Sequence, residues 1–405
     1  MFIFAAEMEG FMMIERTMIY SINRIKRMYP VVAVTGPRQS GKTTMLKHLF
    51  PEYRYVSLEN PDSRNFAETD PNGFLRLYNA QVIFDEVQRV PSLFSYIQTI
   101  VDDAPVMGRF ILSGSQNFHL MEGVTQSLAG RVAVFRLFPF DFSELRSVNL
   151  LDDQYAVNLI RGFYPALFDR NIPSKTFYSN YVQTYVQRDV SELIAVKDIR
   201  LFQNFLGLIA TRAGQLLNLS SLALQCGISQ PTARAWLSAL ENSYIVFLLF
   251  PYHRNFSKRI VKTPKLYFYD TGLLSYLLRV HSNEQLLTHP QKGMMFENMI
   301  IAEYLKRMHH TGNLNEIWFW RDVAGNEVDL LVTEGEEIHL FEIKATQTIQ
   351  SHLFKGLEHF EKIAGNKVIT KNLVYGGLDS QNRSAGKVLS WKDFVQNMPE
   401  SDAGK

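Results

Sequence analysis

The residues whose types and spacing best suit chemistry fall into two groups that lie far apart along the chain. The first is a glycine-rich loop with the full spacing G-x-x-x-x-G-K-[ST]; its members are Gly36, Pro37, Arg38, Gln39, Ser40, Gly41, Lys42 and Thr43, with Thr44 next. Such a loop surrounds phosphates with backbone N–H groups, its lysine reaches the β- and γ-phosphates, and its hydroxyl ligates Mg²⁺. An apolar run before it and a helical run after it supply the required strand and helix. The sequence therefore predicts that residues 36–44 bind ATP together with Mg²⁺.

Polar residues that would serve this loop stand at the ends of two later apolar runs. Asp85 ends the run 82–84, where its carboxylate would hold Mg²⁺ through water. Glu86 follows directly and is expected to orient or deprotonate the attacking water, unless it is only an acid favoured by a helix N-terminus. Ser115 ends the run RFILSGS and would contact the γ-phosphate or the water if that strand lies between the other two. The alternative for Ser115 is an ordinary polar strand end.

The second group lies near the C-terminus, in EVDLLVTEGEEIHLFEIKAT (327–346). A hairpin centred on Gly335 and the residue after it places Asp329 opposite Glu342, because both are equally distant from that centre. Two carboxylates that close are tolerable when a divalent cation lies between them or when one is protonated. Lys344 shares a face with Glu342 and would neutralise charge or activate water. The sequence predicts a metal site at Asp329 and Glu342, with oxygen ligands that suit Mg²⁺ or Mn²⁺.

A further acid, Glu297, belongs with this second group. Apolar residues follow it at helical spacing, so it faces an apolar interior, where an unpaired acid is costly. Glu303 lies off that stripe and is expected to need no partner. Trp318, Trp320 and Arg321 would stack on or grip a nucleic acid, although the tryptophans also suit a hydrophobic core. The alternative for the whole cluster is a structural ion network that cleaves nothing.

The elements that position these residues follow from the alternation of strand-like and helical runs. Strand-like runs over 31–36, 53–60, 81–86, 109–115 and 131–138 are separated by helical spacers, which predicts an α/β domain with a parallel sheet. The pattern is mostly helical from about 146 to 270, and one helix with several strands follows from about 290. The predicted division is an extra or disordered N-terminus 1–13, an ATPase domain 14–146, a helical lid or linker 147–195, a winged-helix-like domain 196–272, a C-terminal α/β domain 285–393 and a tail 394–405.

The winged-helix prediction rests on the middle region. Ser229 is expected to cap a helix whose apolar residues pack inward, and the segments around 244–252 and 265–270 are expected to form wing strands. The connection between those strands is basic and carries no acid; its cations are Arg254, Lys258, Arg259, Lys262 and Lys265. The predicted nucleic-acid contacts are Arg234, Lys258, Arg259 and Lys262. The alternative is that this module binds the chain's own ATPase domain or a protein partner.

Composition limits the classes of protein to which the chain can belong. The chain has 405 residues, of which 46% are hydrophobic and 20% charged, as in soluble globular proteins. A single cysteine, Cys226, excludes an intramolecular disulfide and predicts a reducing, cytoplasmic location. The apolar runs are too short to cross a bilayer, so no membrane partner is expected. Because the net charge is only +2, any nucleic-acid footprint must be local.

The chain resembles the AAA-type P-loop ATPases of bacteria and archaea that carry a C-terminal domain of unknown function. The resemblance covers nearly the whole chain from about residue 14 and rests on GPRQSGKTT, SLENP, VIFDEVQRVP, ILSGSQ, SLAGRV, LFPFDFSEL, YVQTYVQRDV, SKRIVKTPKLYFYDTGL and FEN…EVDLLV…FEIKA. It implies that the phosphate-loop strand lies beside the SGS strand and that a partner in a homo-oligomeric ring or dimer can complete the site. It also implies that Arg131 contacts phosphate in cis or in trans, the alternative being a surface ion pair.

The second group resembles the D…E-x-K signature of the PD-(D/E)xK nuclease superfamily, with Glu297 as the preceding helical acid. The resemblance implies a metal-dependent nuclease-like α/β domain in which Glu297, Asp329, Glu342 and Lys344 are catalytic. Two functions are then open: an ATPase that binds and processes DNA or RNA, and a nucleotide-dependent switch whose inactive nuclease-like domain binds protein partners. ATPase activity that nucleic acid stimulates would favour the first function.

Overall fold

The computed structural model describes residues 13–115, 126–190, 198–252, 261–313, 315–364 and 367–397. The chain divides into two units. The first contains the residues up to Phe140 together with Asn242–Tyr244 and His309–Gly312, and the second contains the rest. Among the described residues, no helix combines the length and the apolar character that crossing a membrane requires.

The first unit is built on a parallel sheet of five strands. The strands are β1 Val31–Thr35, β2 Arg54–Ser57, β3 Val82–Asp85, β4 Phe110–Gly114 and β5 Val132–Arg136, in the order β2-β3-β4-β1-β5. Its helices are α1 Met18–Ile25, α2 Lys42–Leu49, α3 Pro61–Thr69, α4 Pro71–Leu77 and α5 Leu93–Asp103. Alternate residues of β1 belong to separate apolar clusters on the two faces of the sheet, which explains why the strand is a continuous apolar run.

This strand order brings three strand ends to one edge of the sheet. β4 pairs with both β1 and β3, so Ser113 lies beside Val34 on one side and Asp85 on the other. The predicted parallel sheet and the predicted neighbourhood of the phosphate-loop strand and the SGS strand are confirmed. The condition set for Ser115, a strand between the other two, is also met.

The second unit begins with helices and a small antiparallel strand pair. Its helices up to that pair are α6 Phe142–Ser147, α7 Tyr155–Arg161, α8 Pro165–Asp169, α9 Ser174–Tyr181 with a π-helical continuation Val182–Val190, α10 Ile199–Thr211, α11 Leu219–Cys226 and α12 Gln230–Asn242. Ser229 accepts a hydrogen bond from the backbone N–H of Thr232 (3.2 Å), and the apolar residues of α12 are buried, as predicted. The strand pair consists of β6 Val246–Leu249 and β7 Lys265–Phe268, with Leu249 opposite Lys265.

The C-terminal part of this unit is a mixed sheet of six strands. After the helices α13 Thr271–Leu277, α14 Asn283–Thr288 and α15 Lys292–Thr311 come β8 Glu316–Arg321, β9 Glu327–Glu334, β10 Glu337–Lys344, α16 Lys355–Ala364, β11 Val368–Tyr375, β12 Gln381–Arg383 and β13 Gly386–Ser390. The sheet order is β12-β13-β11-β10-β9-β8. The β9–β10 hairpin pairs Glu334 with Glu337 and Leu330 with Phe341, which is the predicted register.

Apart from Asn242–Tyr244 and His309–Gly312, the segments predicted as separate domains over 147–195, 196–272 and 285–393 lie in one unit of the structure, and their exact bounds stay a prediction. Contacts between β7 and α15 explain why these segments join. The side chain of Asn298 accepts a hydrogen bond from the backbone N–H of Phe268 and donates one to its carbonyl, each at 2.8 Å. This side chain therefore fixes the strand pair to the helix that precedes the C-terminal sheet.

Candidate active sites

The phosphate loop leaves β1 and enters α2 through residues in unusual backbone conformations. Gly36, Gln39 and Gly41 have φ values of 146°, 63° and 92°. A Cβ on Gly36 would overlap the backbone oxygen of Leu137, so only glycine fits there. The Lys42 ammonium is buried and donates to the carbonyls of Gly36 (2.9 Å) and Pro37 (2.8 Å). Burial lowers the pKa of Lys42 to about 8, although Glu86 and Asp85 oppose that shift.

Asp85 is the acceptor for three hydroxyl groups at the edge of the sheet. Its Oδ2 accepts from Thr43 Oγ1 (2.9 Å) and from the Tyr55 hydroxyl (2.5 Å), and its Oδ1 accepts from Ser113 Oγ. The structure thus brings the two predicted Mg²⁺ residues, Thr43 and Asp85, into direct contact. Tyr55 was not predicted; it lies on β2, two residues before Ser57, which is opposite Asp85. Burial and the Asp85 carboxylate raise the pKa of Tyr55, so it stays a hydroxyl donor.

Glu86 follows β3 in a left-handed conformation with φ of 55°, which is uncommon for a residue other than glycine. Its Oε2 accepts from Ser115 Oγ (3.1 Å) and from Gln88 Nε2. The short 3₁₀ helix Val87–Arg89 begins directly after it, but the Glu86 side chain makes no capping bond to that helix. The contact with Ser115 therefore directs this carboxylate toward the end of β4, beside the loop strand.

Arg131 lies elsewhere in the first unit. Its guanidinium makes an ion pair with Asp102 of α5, with Nη2 and Oδ2 2.9 Å apart. Its backbone oxygen accepts from the N–H of Val31, the first residue of β1, whereas the phosphate loop follows the last residue of β1. Arg131 lies beside the first residue of β1, and the phosphate loop follows the last one. Because these are opposite ends of the strand, the alternative in which Arg131 contacts phosphate in cis is wrong. A contact in trans stays a prediction.

The C-terminal cluster centres on the buried carboxylate of Asp329. Its Oδ2 accepts from the backbone N–H of Ile343 (2.8 Å) and from Lys344 Nζ (2.9 Å). Lys344 Nζ also lies 2.6 Å from Glu342 Oε1. Burial alone would favour the neutral carboxyl, but Lys344 and Lys265 outweigh it and lower the pKa of Asp329. Burial opposes the charge on Lys344 as well, yet Asp329 and Glu342 raise its pKa, so this lysine is a cation.

Glu342 has unused binding capacity. Its second oxygen, Oε2, is buried and has no hydrogen-bond partner. Burial, followed by the charge of Asp329, raises the pKa of Glu342 to about 8. Gly356, near the start of α16, packs here: a Cβ on it would overlap the backbone oxygen of Glu327 and lie 3.5 Å from Glu342 Oε2. A buried carboxylate oxygen without a donor is a site where a cation would replace a proton.

The helical acid Glu297 has partners that the sequence did not reveal. Its Oε1 accepts from Lys265 Nζ (3.0 Å) and from the Tyr267 hydroxyl (2.6 Å), both on β7. Lys265 also forms an ion pair with Glu327, which a second cation, Arg321, contacts at 3.2 Å. Counting Lys265 among the cations of an exposed basic segment was therefore wrong, because only 3% of this residue is exposed and acids surround it.

The structure favours the core alternative for the two tryptophans and corrects the expectation for Glu303. Trp320 is 2% exposed and packs edge-on against Phe360, and Trp318 packs against the same apolar cluster, so these rings are part of the core. Arg321 is engaged by Glu327. Glu303 does have partners: it is fully buried, lies 2.9 Å from Lys306 and accepts from the backbone N–H of Phe142.

The structure describes two of the four residues that are predicted to contact nucleic acid. Arg234 on α12 and Lys262 before β7 are exposed. Lys258 and Arg259 lie outside the described residues.

Comparison with known proteins gives a match for each part of the chain. A model of the AAA domain family matches residues 28–146. Two models described as domains of unknown function match as well, DUF8612 over residues 152–284 and DUF4143 over residues 292–394. The uncharacterized protein Rv2008c of Mycobacterium tuberculosis is 31% identical over 325 residues, which is 79% of this chain and 71% of that protein. The uncharacterized protein Mb2031c of Mycobacterium bovis matches with the same figures.

The matches among solved structures are more distant. The Walker-type ATPase PABY2304 of Pyrococcus abyssi is 15% identical, with a TM-score of 0.43, and the likeness covers 66% of this chain and 96% of that one. AMPPCP-bound DnaA from Aquifex aeolicus is also 15% identical, with a TM-score of 0.26, over 55% of this chain and 85% of that one.

The complete phosphate loop, the strand order around it and the match over residues 28–146 define the first unit as an AAA-type P-loop ATPase domain. The chain as a whole belongs to the same family as the mycobacterial protein Rv2008c, as an identity of 31% over 79% of its length shows.

Proposed function

We propose that this protein hydrolyses ATP at the phosphate loop and couples that reaction to binding and cutting DNA or RNA, with the C-terminal cluster as the cutting site. The observation that carries the second half is the contact of Lys344 with both Asp329 and Glu342, with Glu297 close enough to act on the charge of Glu342 and with one buried carboxylate oxygen left without a donor. A buried carboxylate oxygen that accepts no hydrogen bond is open to a metal ion.

At the phosphate loop, each residue has a role that its contacts support. Lys42 would leave the loop carbonyls for the β- and γ-phosphates, and Thr43 and Asp85 would hold Mg²⁺ directly and through water. Glu86, held by Ser115, would orient the water that adds to the γ-phosphorus as the bond to ADP breaks. A homo-oligomeric partner would supply Arg131 to the developing charge, if the trans arrangement holds.

In the C-terminal cluster, the donor set fits a hard divalent cation such as Mg²⁺ or Mn²⁺. Asp329 and Glu342 would hold it, and Glu297 would complete the acidic side of the site. When bound, the metal would supply a nucleophilic hydroxide at neutral pH and stabilise charge on the phosphate. Lys344 is already protonated, so it would balance negative charge on the substrate rather than act as a base.

A cavity beside Lys344 offers a route for a polyanionic substrate. It has a volume of about 390 Å³, and its lining includes Lys292, Lys344 and His352 but no acid. Lys344 is the most exposed member of the four-residue cluster, with 36% of its side chain accessible. A phosphodiester backbone would meet positive charge there before it reached the buried acids.

The middle region supports the nucleic-acid half of the proposal. Three helices, α10 to α12, are followed by the antiparallel pair β6–β7, which is the element order of a winged helix. Arg234 on the third helix and Lys262 before the second strand are exposed and would contact phosphates, together with Lys258 and Arg259.

The proposal is tested by incubating the protein with supercoiled, linear and single-stranded DNA and with RNA, in Mg²⁺ or Mn²⁺, with and without ATP. The variants Asp329→Ala and Lys344→Ala should lose cutting, and the matched surface variants Asp379→Ala and Lys367→Ala should keep it. Circular dichroism would verify that each variant is folded. Absence of cutting by wild-type protein on every substrate would overturn the nuclease half and favour the switch that binds protein partners.

A further inference from the structure

Lys265 is the most deeply buried cation of the C-terminal cluster, with 4% of its side chain exposed. It lies on β7, where its backbone pairs with Leu249 and also forms a bridge with Leu216. An ammonium group so far from water is tolerated only when acids and other acceptors surround it. Glu297 and Glu327 supply that environment.

The contacts divide the acids of the cluster into two kinds. Glu297 Oε1 already accepts from Lys265 and Tyr267. Glu342, in contrast, shares only Lys344 and keeps Oε2 without a partner. A cation that entered at Glu342 and Asp329 would therefore find the third acid, Glu297, held by Lys265.

We infer that Lys265 is a resident cation of the cluster, which competes with a divalent metal ion for Glu297. The inference rests on the proposed function and adds a residue that regulates the affinity of its metal site. The acids around Lys265 and Lys344 carry at most four negative charges, and cations already offset three of them. The acids are Glu297, Glu327, Asp329 and Glu342, and the cations are Lys265, Arg321 and Lys344. A divalent ion would add two more positive charges close to a buried ammonium, and in a poorly hydrated site that repulsion is large.

The strand pair β6–β7 therefore sets how tightly the cluster holds metal. Metal binding weakens the contact between Lys265 on β7 and Glu297 on α15, and anything that strengthens this contact opposes the metal. Such coupling is reciprocal by thermodynamic necessity.

The test is a titration of nucleotide-free protein with Mn²⁺, followed by electron paramagnetic resonance. The part of the binding that Asp329→Asn abolishes belongs to the C-terminal cluster. Lys265→Gln removes the charge but can still donate a hydrogen bond to Glu297, and we expect it to bind Mn²⁺ at least about tenfold more tightly than wild type. Lys265→Arg keeps the charge and should bind like wild type. Lys371→Gln is the matched control, since Lys371 pairs with Glu361 outside the cluster.

Each outcome decides the inference separately from the proposed function. Tighter Mn²⁺ binding by Lys265→Gln than by wild type supports the inference. Mn²⁺ binding by Lys265→Gln alone also supports it, but that result would contradict the proposed function, because wild type would then lack the metal ion. Equal affinities in the two proteins overturn the inference and leave the metal site standing. Binding by neither overturns both.

If Lys265→Gln does not fold without metal, thermal unfolding replaces the titration. A melting temperature that Mn²⁺ raises more in Lys265→Gln than in wild type supports competition. An equal rise in both, or no fold at any Mn²⁺ concentration, contradicts it.

Discussion

The phosphate loop and the C-terminal cluster both gather carboxylates, but they satisfy them with different partners. Asp85 accepts from three neutral hydroxyl groups, those of Thr43, Tyr55 and Ser113. Asp329 and Glu342 have an ammonium group between them. Hydroxyl donors leave the charge of a carboxylate available to a metal ion, whereas a lysine neutralises it.

The difference determines how readily each site takes up a metal ion. At the loop, Mg²⁺ brought by ATP would meet a carboxylate, Asp85, that hydroxyl groups satisfy, and the hydroxyl of Thr43 could turn to ligate it. In the cluster, a metal must enter among lysines, so affinity depends on how these cations rearrange. Carboxylates therefore give a site poised for a cation in one unit and, in the other, a site where a metal ion has to compete with resident lysines.

The largest expected effect tests the loop side of this contrast. Glu86→Gln should lower the rate of ATP hydrolysis at least about 100-fold, because a neutral amide cannot polarise water as a carboxylate does. Nucleotide affinity should stay near wild type, since no phosphate ligand is removed. Phosphate release and a nucleotide titration measure the two quantities. Glu59→Gln, a surface acid paired with Arg89, is the control, and turnover at the wild-type rate in Glu86→Gln would contradict the assigned role.

The second prediction tests the ion pairs of the cluster. Asp329→Ala should lower the free energy of unfolding by about 3 kcal/mol, because the N–H of Ile343 loses its acceptor and Lys344 and Lys265 lose a compensating charge. All four tryptophans of the chain lie in the second unit, so tryptophan fluorescence in urea follows the unfolding of that unit. Asp379→Ala, at an exposed position, should change it little. A similar loss in both variants would mean that the Asp329 contacts add nothing.

The two sites also differ in how far the sequence could predict them. The loop is one contiguous motif between a strand and a helix, so local rules place Lys42 and Thr43, and the parallel sheet then places Asp85 and Ser115. Tyr55 was not predicted, because its hydrogen bond to Asp85 depends on the register between β2 and β3. The choice between cis and trans for Arg131 stayed open because a motif does not reveal which end of β1 it meets.

The cluster was predictable only where one hairpin determines it. The turn at Gly335 set the register that brings Asp329 toward Glu342. Lys265 comes from a strand more than sixty residues upstream of Asp329, and nothing in its neighbourhood distinguishes it from the basic residues before it. Its burial follows from the packing of β7 on α15, which is a tertiary contact that periodicity does not encode.

A smaller effect concerns the pH dependence of ATP binding at the phosphate loop. Burial lowers the pKa of Lys42 to about 8 in the nucleotide-free protein, so above that pH the lysine must take up a proton when ATP binds. Because the ATP-bound protein holds more protons than the free protein, ATP affinity should fall as the pH rises, by up to about tenfold per pH unit above pH 8. Titrations between pH 7 and 9.5 measure this. Lys42→Arg, which stays charged throughout, should show no such decline, and an equal decline in both proteins would assign it to another group.

The smallest effect concerns the glycine that packs on the cluster. A Cβ at Gly356 would overlap the backbone oxygen of Glu327, so Gly356→Ala should force α16 away from β9 and lower the free energy of unfolding by about 1–3 kcal/mol. Gly293→Ala is the matched control, because no atom lies near its Cβ position and alanine favours a helix. Urea unfolding followed by tryptophan fluorescence measures both. If Gly356→Ala were as stable as Gly293→Ala, the acids of β9 and β10 would have more room than the contacts indicate, and Glu342 Oε2 could reach water without a metal ion.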